Sequence, residues 1–168
     1  MFIKYFIFLT GLFFILGCQE DLSTSKQNNK VNHEPFIITD FTVKLNTDQD
    51  YSLSDRLNNH NAVVLYFTMW CPVCDNHMQS IRNDFVAQYP DIDFVLIDYV
   101  SGSNANSRAT QLNNGYSDFD VISDTDDSLE KALQGSMGSV VLIDKNFTVV
   151  FSEVFKNEMD LKEAIDAL

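Results

Sequence analysis

The chain has 168 residues, a hydrophobic fraction of 45% and a formal charge of −13 at pH 7. Such acidity excludes nucleic acid as a partner, because phosphates need a basic surface, and it disfavours adhesion of the protein surface to anionic lipid. The length allows one domain with a proper core, and no internal repeat is visible.

The chain opens Met1-Phe2-Ile3-Lys4 and runs apolar from Tyr5 to Leu16. One basic residue, an apolar stretch and then small residues predict a secretory signal peptide over residues 1–17, too short to span a bilayer comfortably. It ends Ile15-Leu16-Gly17-Cys18, which resembles the bacterial lipobox, where the cysteine after the cleavage site receives lipid. Cys18 is therefore the expected lipidation site; a plain signal peptide with an incidental cysteine is the alternative. Processing would remove only Lys4 among the charged residues, taking the balance from −13 to −14. Residues 18–34 are polar and predict a flexible tether, since they bury too little to offset chain entropy. The folded domain is expected over residues 35–168.

Asp40 to Leu53 alternates around a polar break at residues 46–50 and predicts an N-terminal β-hairpin. Ser54 is the expected cap of a short helix through Leu57. Ala62–Phe67 is a continuous apolar run, the pattern of a strand covered on both faces. Pro72 to about Gln88 predicts a helix, with Pro72 in the first turn and Met78, Ile81, Phe85 and Val86 at helical spacing. A second buried strand is expected at Phe94–Ile97 and a weaker helix at Asn106–Asn113. Phe119–Ile122 is a candidate short strand, and a helix ends near Gln134. Strands at Val140–Ile143 and Thr148–Glu153 precede a closing helix at Met159–Ala167. The order β-β-α-β-α-β-α-β-β-α implies an α/β fold, a mixed central sheet with helices on both faces.

The chemistry lies at Trp70-Cys71-Pro72-Val73-Cys74, between the first buried strand and the helix. The chain has three cysteines, and lipid would consume Cys18. A two-residue gap between Cys71 and Cys74 closes too small a loop to stabilise a fold much, so a redox or metal role outweighs a structural disulfide. A helix N-terminus also favours the thiolate, the reactive form of cysteine.

The strand-W-C-x-x-C-helix unit resembles the thioredoxin fold. With Asp40-Phe41, Leu53-Ser54-Asp55 and Leu142-Ile143-Asp144, the layout resembles the extracytoplasmic TlpA/ResA/CcmG-like branch of anchored thiol–disulfide oxidoreductases, over about Phe36 to Leu168. The resemblance implies that Cys71 attacks and Cys74 resolves, with Trp70, Pro72 and His77 supporting the pair. It implies no cofactor besides the redox-active pair. Implied partners are extracytoplasmic protein disulfides, a membrane electron donor and, through Cys18, the membrane of the bacterial cell envelope. The helix position supports the same order of thiols independently, because Cys71 is nearer the helix N-terminus and solvent.

Three positions depart from that pattern. Leu65 stands where many thioredoxins carry a buried Asp, so that proton relay is missing. His77 stands where the anchored branch often has an acid, and an imidazole there could move the Cys74 proton or simply face solvent. Gly138, after Met137, stands where the family places a cis-proline, and the chain's three prolines are Pro35, Pro72 and Pro90. A trans Met137–Gly138 bond and a less screened substrate groove are expected. Two rival functions remain open. One is a peroxiredoxin-like peroxidase at Cys71, with Thr68 and either Arg82 or Arg108. The other is a Cu(I) carrier using Cys71, Cys74 and His77, with Met69, Met78 and Met137 nearby.

Overall fold

The computed structural model describes residues 34–156 and 158–168. The signal peptide, Cys18 and the tether up to residue 33 lie outside the described residues. In chain order the elements are β1 (Phe36–Ile37), β2 (Thr42–Lys44), β3 (Asp50–Ser52), α1 (Leu53–Asn59), β4 (Ala62–Thr68), α2 (Pro72–Ser80), a π-helical turn (Ile81–Val86), β5 (Ile92–Asp98), α3 (Asn104–Asn113), β6 (Asp120–Ser123), α4 (Ser128–Leu133), β7 (Ser139–Asp144), β8 (Thr148–Val154) and α5 (Glu158–Asp166). No helix among the described residues is long and apolar enough to cross a membrane.

Six strands form one mixed sheet in the order β1-β8-β7-β4-β5-β6. β4 lies inside it, parallel to β5 and antiparallel to β7. All seven β4 residues are buried, as its continuous apolar run requires. Period-two alternation divides them between two cores. Ala62, Val64 and Tyr66 face a cluster with Met78, Phe85 and α5 residues Leu161 and Ile165. Val63, Leu65 and Phe67 face the other, with α1 residues Leu53 and Leu57 and α4 residues Leu129 and Leu133. The sheet is therefore a partition, and α2 with its cysteines belongs to the Tyr66 side.

The hairpin is present as β2–β3, outside the main sheet, and an isolated bridge from Leu45 to Ile122 ties it to β6. Several local expectations are corrected. The cap of α1 is Ser52, whose hydroxyl accepts the Asp55 N–H at 3.3 Å. β3 runs straight into α1, so Ser54 already lies inside the helix. The helix expected through Gln88 is α-helical only to Ser80, then passes into the π-helical turn, which keeps Ile81 and Phe85 in the core. β1 was absent from the sequence reading; its two residues pair with Val149 and Thr148 on β8. Phe119–Ile122 is realised as edge strand β6.

Candidate active site

The segment between β4 and α2 is three residues long, and Trp70 and Cys71 within it are each held by hydrogen bonds. Trp70 has φ 59°, in the left-handed region where a bulky side chain is strained. Its backbone N–H donates to Thr68 Oγ1 at 3.0 Å, and its indole Nε1–H donates to Asp98 Oδ2 at 2.8 Å. The β4–β5 register, which pairs Thr68 with Asp98, brings that carboxylate to the tryptophan. Asp98 is itself buried and also accepts the Val100 and Ser101 N–H groups, both at 3.1 Å. Trp70 is therefore anchored through its polar edge as well as its ring, which lies 6.3 Å from the Tyr116 ring.

Cys71 is the N-cap of α2, and Pro72 occupies the first helical turn, where a missing N–H is harmless. The Cys71 sulfur accepts the Cys74 N–H at 3.2 Å. The two sulfurs lie 2.7 Å apart as free thiols, and closing a disulfide requires only a small further approach. Cys71 is half-buried and Cys74 fully buried. Burial pushes the Cys74 thiol up. Hydrogen bonds with Cys71, with the backbone at Met69 and Cys71, and with the Tyr66 hydroxyl outweigh it, and the net direction is downward. Only the outer sulfur meets solvent, and its exposure makes Cys71 the thiol that a partner can reach.

Gly138 is buried, and its peptide bonds are trans, as is every bond among the described residues. Its φ of 79° lies where glycine is at ease and where proline, fixed near −65°, cannot go. Its N–H donates to the Phe67 carbonyl at 2.9 Å, and its own carbonyl accepts the Phe155 N–H at 2.8 Å. The expected opening over the dithiol is corrected by two side chains. The Cys71 thiol donates to Met137 Sδ at 3.8 Å, so a thioether covers the outer sulfur. The His77 ring lies beside Gly138, where an added Cβ would meet it at 3.6 Å.

His77 does not reach the thiols directly. Its Nδ1 lies 3.0 Å from the Tyr66 hydroxyl, and its ring packs 5.0 Å from the Phe155 ring. Burial holds its pKa below the usual histidine value. Tyr66 is buried, with its pKa pushed up by burial and then by the neighbouring thiols, so it remains a phenol. Sequence reasoning missed Tyr66 and Asp98. Two signals could have found Tyr66: it shares the α2-facing alternation of β4, and His77 falls one helical turn after Cys74. Leu65 points into the opposite core, away from α2.

Several groups named for the rival chemistries have other partners. Among the described residues no cluster of three or more His, Cys, Asp and Glu side chains is placed to hold a metal. His77 is turned to Tyr66, Met78 is buried in the core, and Met69 is exposed. Of the groups suited to peroxide, the Thr68 hydroxyl is engaged by Trp70, Arg82 by Asp118 at 2.6 Å and by the Gly115 carbonyl, and Arg108 by Gln111 at 2.7 Å. A cavity of about 600 Å3 between residues 36–43 and α4 is lined by none of the cysteine-site residues.

Solved structures share this architecture. A DsbF homologue from Corynebacterium diphtheriae is similar at TM-score 0.65 and 19% identity, over 80% of this chain and 88% of that one. A secreted Mycobacterium tuberculosis disulfide oxidoreductase homologous to E. coli DsbE is similar at TM-score 0.58 and 18% identity, over 76% and 96%. The peroxidoxin BcpB from M. tuberculosis is similar at TM-score 0.59 and 19% identity, over 78% and 92%. Likeness at these identities establishes the thioredoxin-like fold and no particular activity. No curated protein matches the chain. The Redoxin profile matches residues 32–168, most of the chain and all of the sheet that carries the cysteine pair, and the chain belongs to the Redoxin family.

Proposed function

We propose that this protein is a thiol–disulfide oxidoreductase working through Cys71 and Cys74, and that it reduces disulfides of extracytoplasmic proteins. The observation that carries the reading is the pairing of a half-buried N-cap thiol with a fully buried thiol 2.7 Å away. Cys71 attacks one sulfur of the client disulfide, forming a mixed disulfide and releasing a client thiolate. Cys74 then attacks Cys71, the internal disulfide forms, and the second client thiolate leaves. The client is reduced by two electrons and the pair is oxidised by two. A membrane electron donor would return the pair to the dithiol. The chemistry needs no further cofactor.

Pro72 starts the helix that presents Cys71, and Trp70, fixed by Asp98, shapes the surface beside it. Met69, Val73 and Met137 are exposed apolar side chains close to Cys71 along the chain or in space. Apolar groups gathered at a reactive thiol suit a protein segment as substrate. Met137 and Gly138 form the wall such a segment would meet. The envelope location rests on the signal-peptide layout and Cys18, and agrees with a structural relative described as secreted.

The test is reduction of a protein disulfide by dithiothreitol with and without the purified chain. The reading expects acceleration by the native pair, loss of that acceleration in Cys71→Ser, and a stable mixed disulfide on Cys71 in Cys74→Ser. Acceleration that persists in Cys71→Ser would refute it.

A further inference from the structure

We propose that Met137 is a modification site: an N-chloramine oxidises its thioether to the sulfoxide, and the Cys71–Cys74 dithiol reduces it back within the same chain. The inference rests on the dithiol reading above and goes beyond it, since the group reduced is a sulfoxide and not a disulfide. The Cys71 sulfur has two sulfur neighbours, Cys74 Sγ at 2.7 Å and Met137 Sδ at 3.8 Å. The Cys71 S–H points at the thioether, which accepts it. That separation is a few tenths of an ångström beyond the range of about 3–3.5 Å at which reacting atoms are poised. Met137 is 44% exposed and open to a dissolved oxidant, whereas Cys74 is fully buried behind Cys71. Met78, on the same helix as the cysteines, is buried in the core and out of an oxidant's reach. Gly138 follows Met137 with its left-handed backbone and donates its N–H to the Phe67 carbonyl, which fixes the chain that carries the thioether.

Atoms and electrons balance in two stages. While the pair is a disulfide, no thiol competes for the oxidant. The N-chloramine then takes two electrons from the Met137 sulfur, water supplies the oxygen, and the amine, chloride and a proton are released. Once the pair has been reduced to the dithiol, Cys71 Sγ attacks the sulfoxide sulfur. The S–O bond breaks, the oxygen departs as water with the proton of each thiol, and a Cys71–Met137 sulfur–sulfur bond forms with positive charge on the Met137 sulfur. Cys74 Sγ then attacks Cys71 Sγ, the internal disulfide forms, and Met137 leaves as the neutral thioether. The Met137 sulfur gains two electrons and the two thiols lose two. The second step is the ordinary exchange of the pair, with Met137 in the place of the client sulfur. A dissolved thiol lacks the proximity that one chain provides, because reactants held together act at an effective molarity of about 10⁵ M or more. Methionine oxidation is a reversible lesion, and here the dithiol restores the residue.

The test uses the full chain with Cys18→Ser, which leaves Cys71 and Cys74 as its cysteines. The disulfide form is treated with chloramine-T, the pair is reduced with dithiothreitol, and the reductant is removed without air. The oxygen on each methionine is then followed by peptide mass spectrometry. Met159, 66% exposed on α5, is the internal control. Met137 is expected to take up one oxygen and to lose it at least about tenfold faster than Met159. The loss should be independent of chain concentration, with one Cys71–Cys74 disulfide formed for each oxygen lost. Alkylation of Cys71 with iodoacetamide directly after the reduction should make the Met137 oxygen persist as long as that on Met159. The proposal is overturned if Met137 stays unoxidised while Met159 is oxidised, or if its oxygen lasts as long as that on Met159. Loss that scales with chain concentration, or that continues after Cys71 is alkylated, overturns it as well. The unoxidised chain is assayed alongside for reduction of a protein disulfide. A chain that accelerates that reaction yet keeps its sulfoxide overturns this inference alone, and one that fails to accelerate it overturns the dithiol reading.

Discussion

The thioether of Met137 lies 3.8 Å from the Cys71 sulfur and accepts its S–H, so the outer thiol is covered from the side where a proline ring was expected. Exchange requires in-line access to that sulfur. Met137→Ala should therefore raise the rate at which iodoacetamide alkylates Cys71 by about threefold, the range expected when access and not acidity is changed. An unchanged rate would mean that the thioether already moves aside freely.

Gly138 gives a sharper expectation because the family's own residue should be harmful here. At φ 79° with its N–H donated to Phe67, the position can accommodate neither a proline ring nor the loss of a donor. Gly138→Pro should cost about 3 kcal/mol or more of stability in urea unfolding. Gly138→Ala should cost about 1–2 kcal/mol, through the left-handed backbone alone, since the added Cβ meets His77 at an ordinary 3.6 Å. Equal stability of Gly138→Pro and the parent would contradict the trans, left-handed geometry.

Asp98 is buried and accepts three N–H groups, from the Trp70 indole and from the Val100 and Ser101 backbone. Asp98→Ala orphans all three donors and should lower stability by about 2–4 kcal/mol. It should also shift and broaden the fluorescence of Trp70, the single tryptophan in the chain. A native emission spectrum in the folded variant would show that the indole is held by packing alone.

The pH dependence of stability follows from His77. Burial holds its folded pKa below the unfolded value of about 6.5. Above that value both states carry neutral imidazole and His77 contributes no pH slope. As pH falls through about 6.5 the unfolded chain takes up a proton first, so the folded state loses relative stability until its own lower pKa is passed. His77→Gln should therefore show a smaller drop in urea midpoint than the parent between about pH 7 and 5. Parallel curves would place the histidine in an ordinary solvated setting.

Much of this site was legible in the sequence, and the gaps have physical causes. The pair, its helix and Pro72 were readable because a proline in the first turn after a buried strand leaves few alternatives. Leu65 stands where many relatives carry a buried acid, and the structure turns it into the core opposite α2. A fully buried strand reads as a continuous apolar run, which conceals that Tyr66 turns toward α2 and Leu65 away from it. The missing proline was visible, but which side chains would stand near its place was not, because Met137 reaches Cys71 and His77 reaches Gly138 only after β7 is placed beside β4. β1 escaped because two residues are too few to show alternation. The π-helical turn escaped because Ile81 and Phe85 keep helical spacing through it.

The measurement that bears most directly on the account is equilibration of the chain with mixtures of reduced and oxidised glutathione, read by alkylation of free thiols and mass spectrometry. Cys71 and Cys74 are predicted to lose their thiols together as one two-electron couple, with a midpoint more negative than about −220 mV, on the reducing side of the glutathione pool. Glutathione accumulating on Cys71 with Cys74 still free, or a midpoint well to the oxidising side, would contradict it.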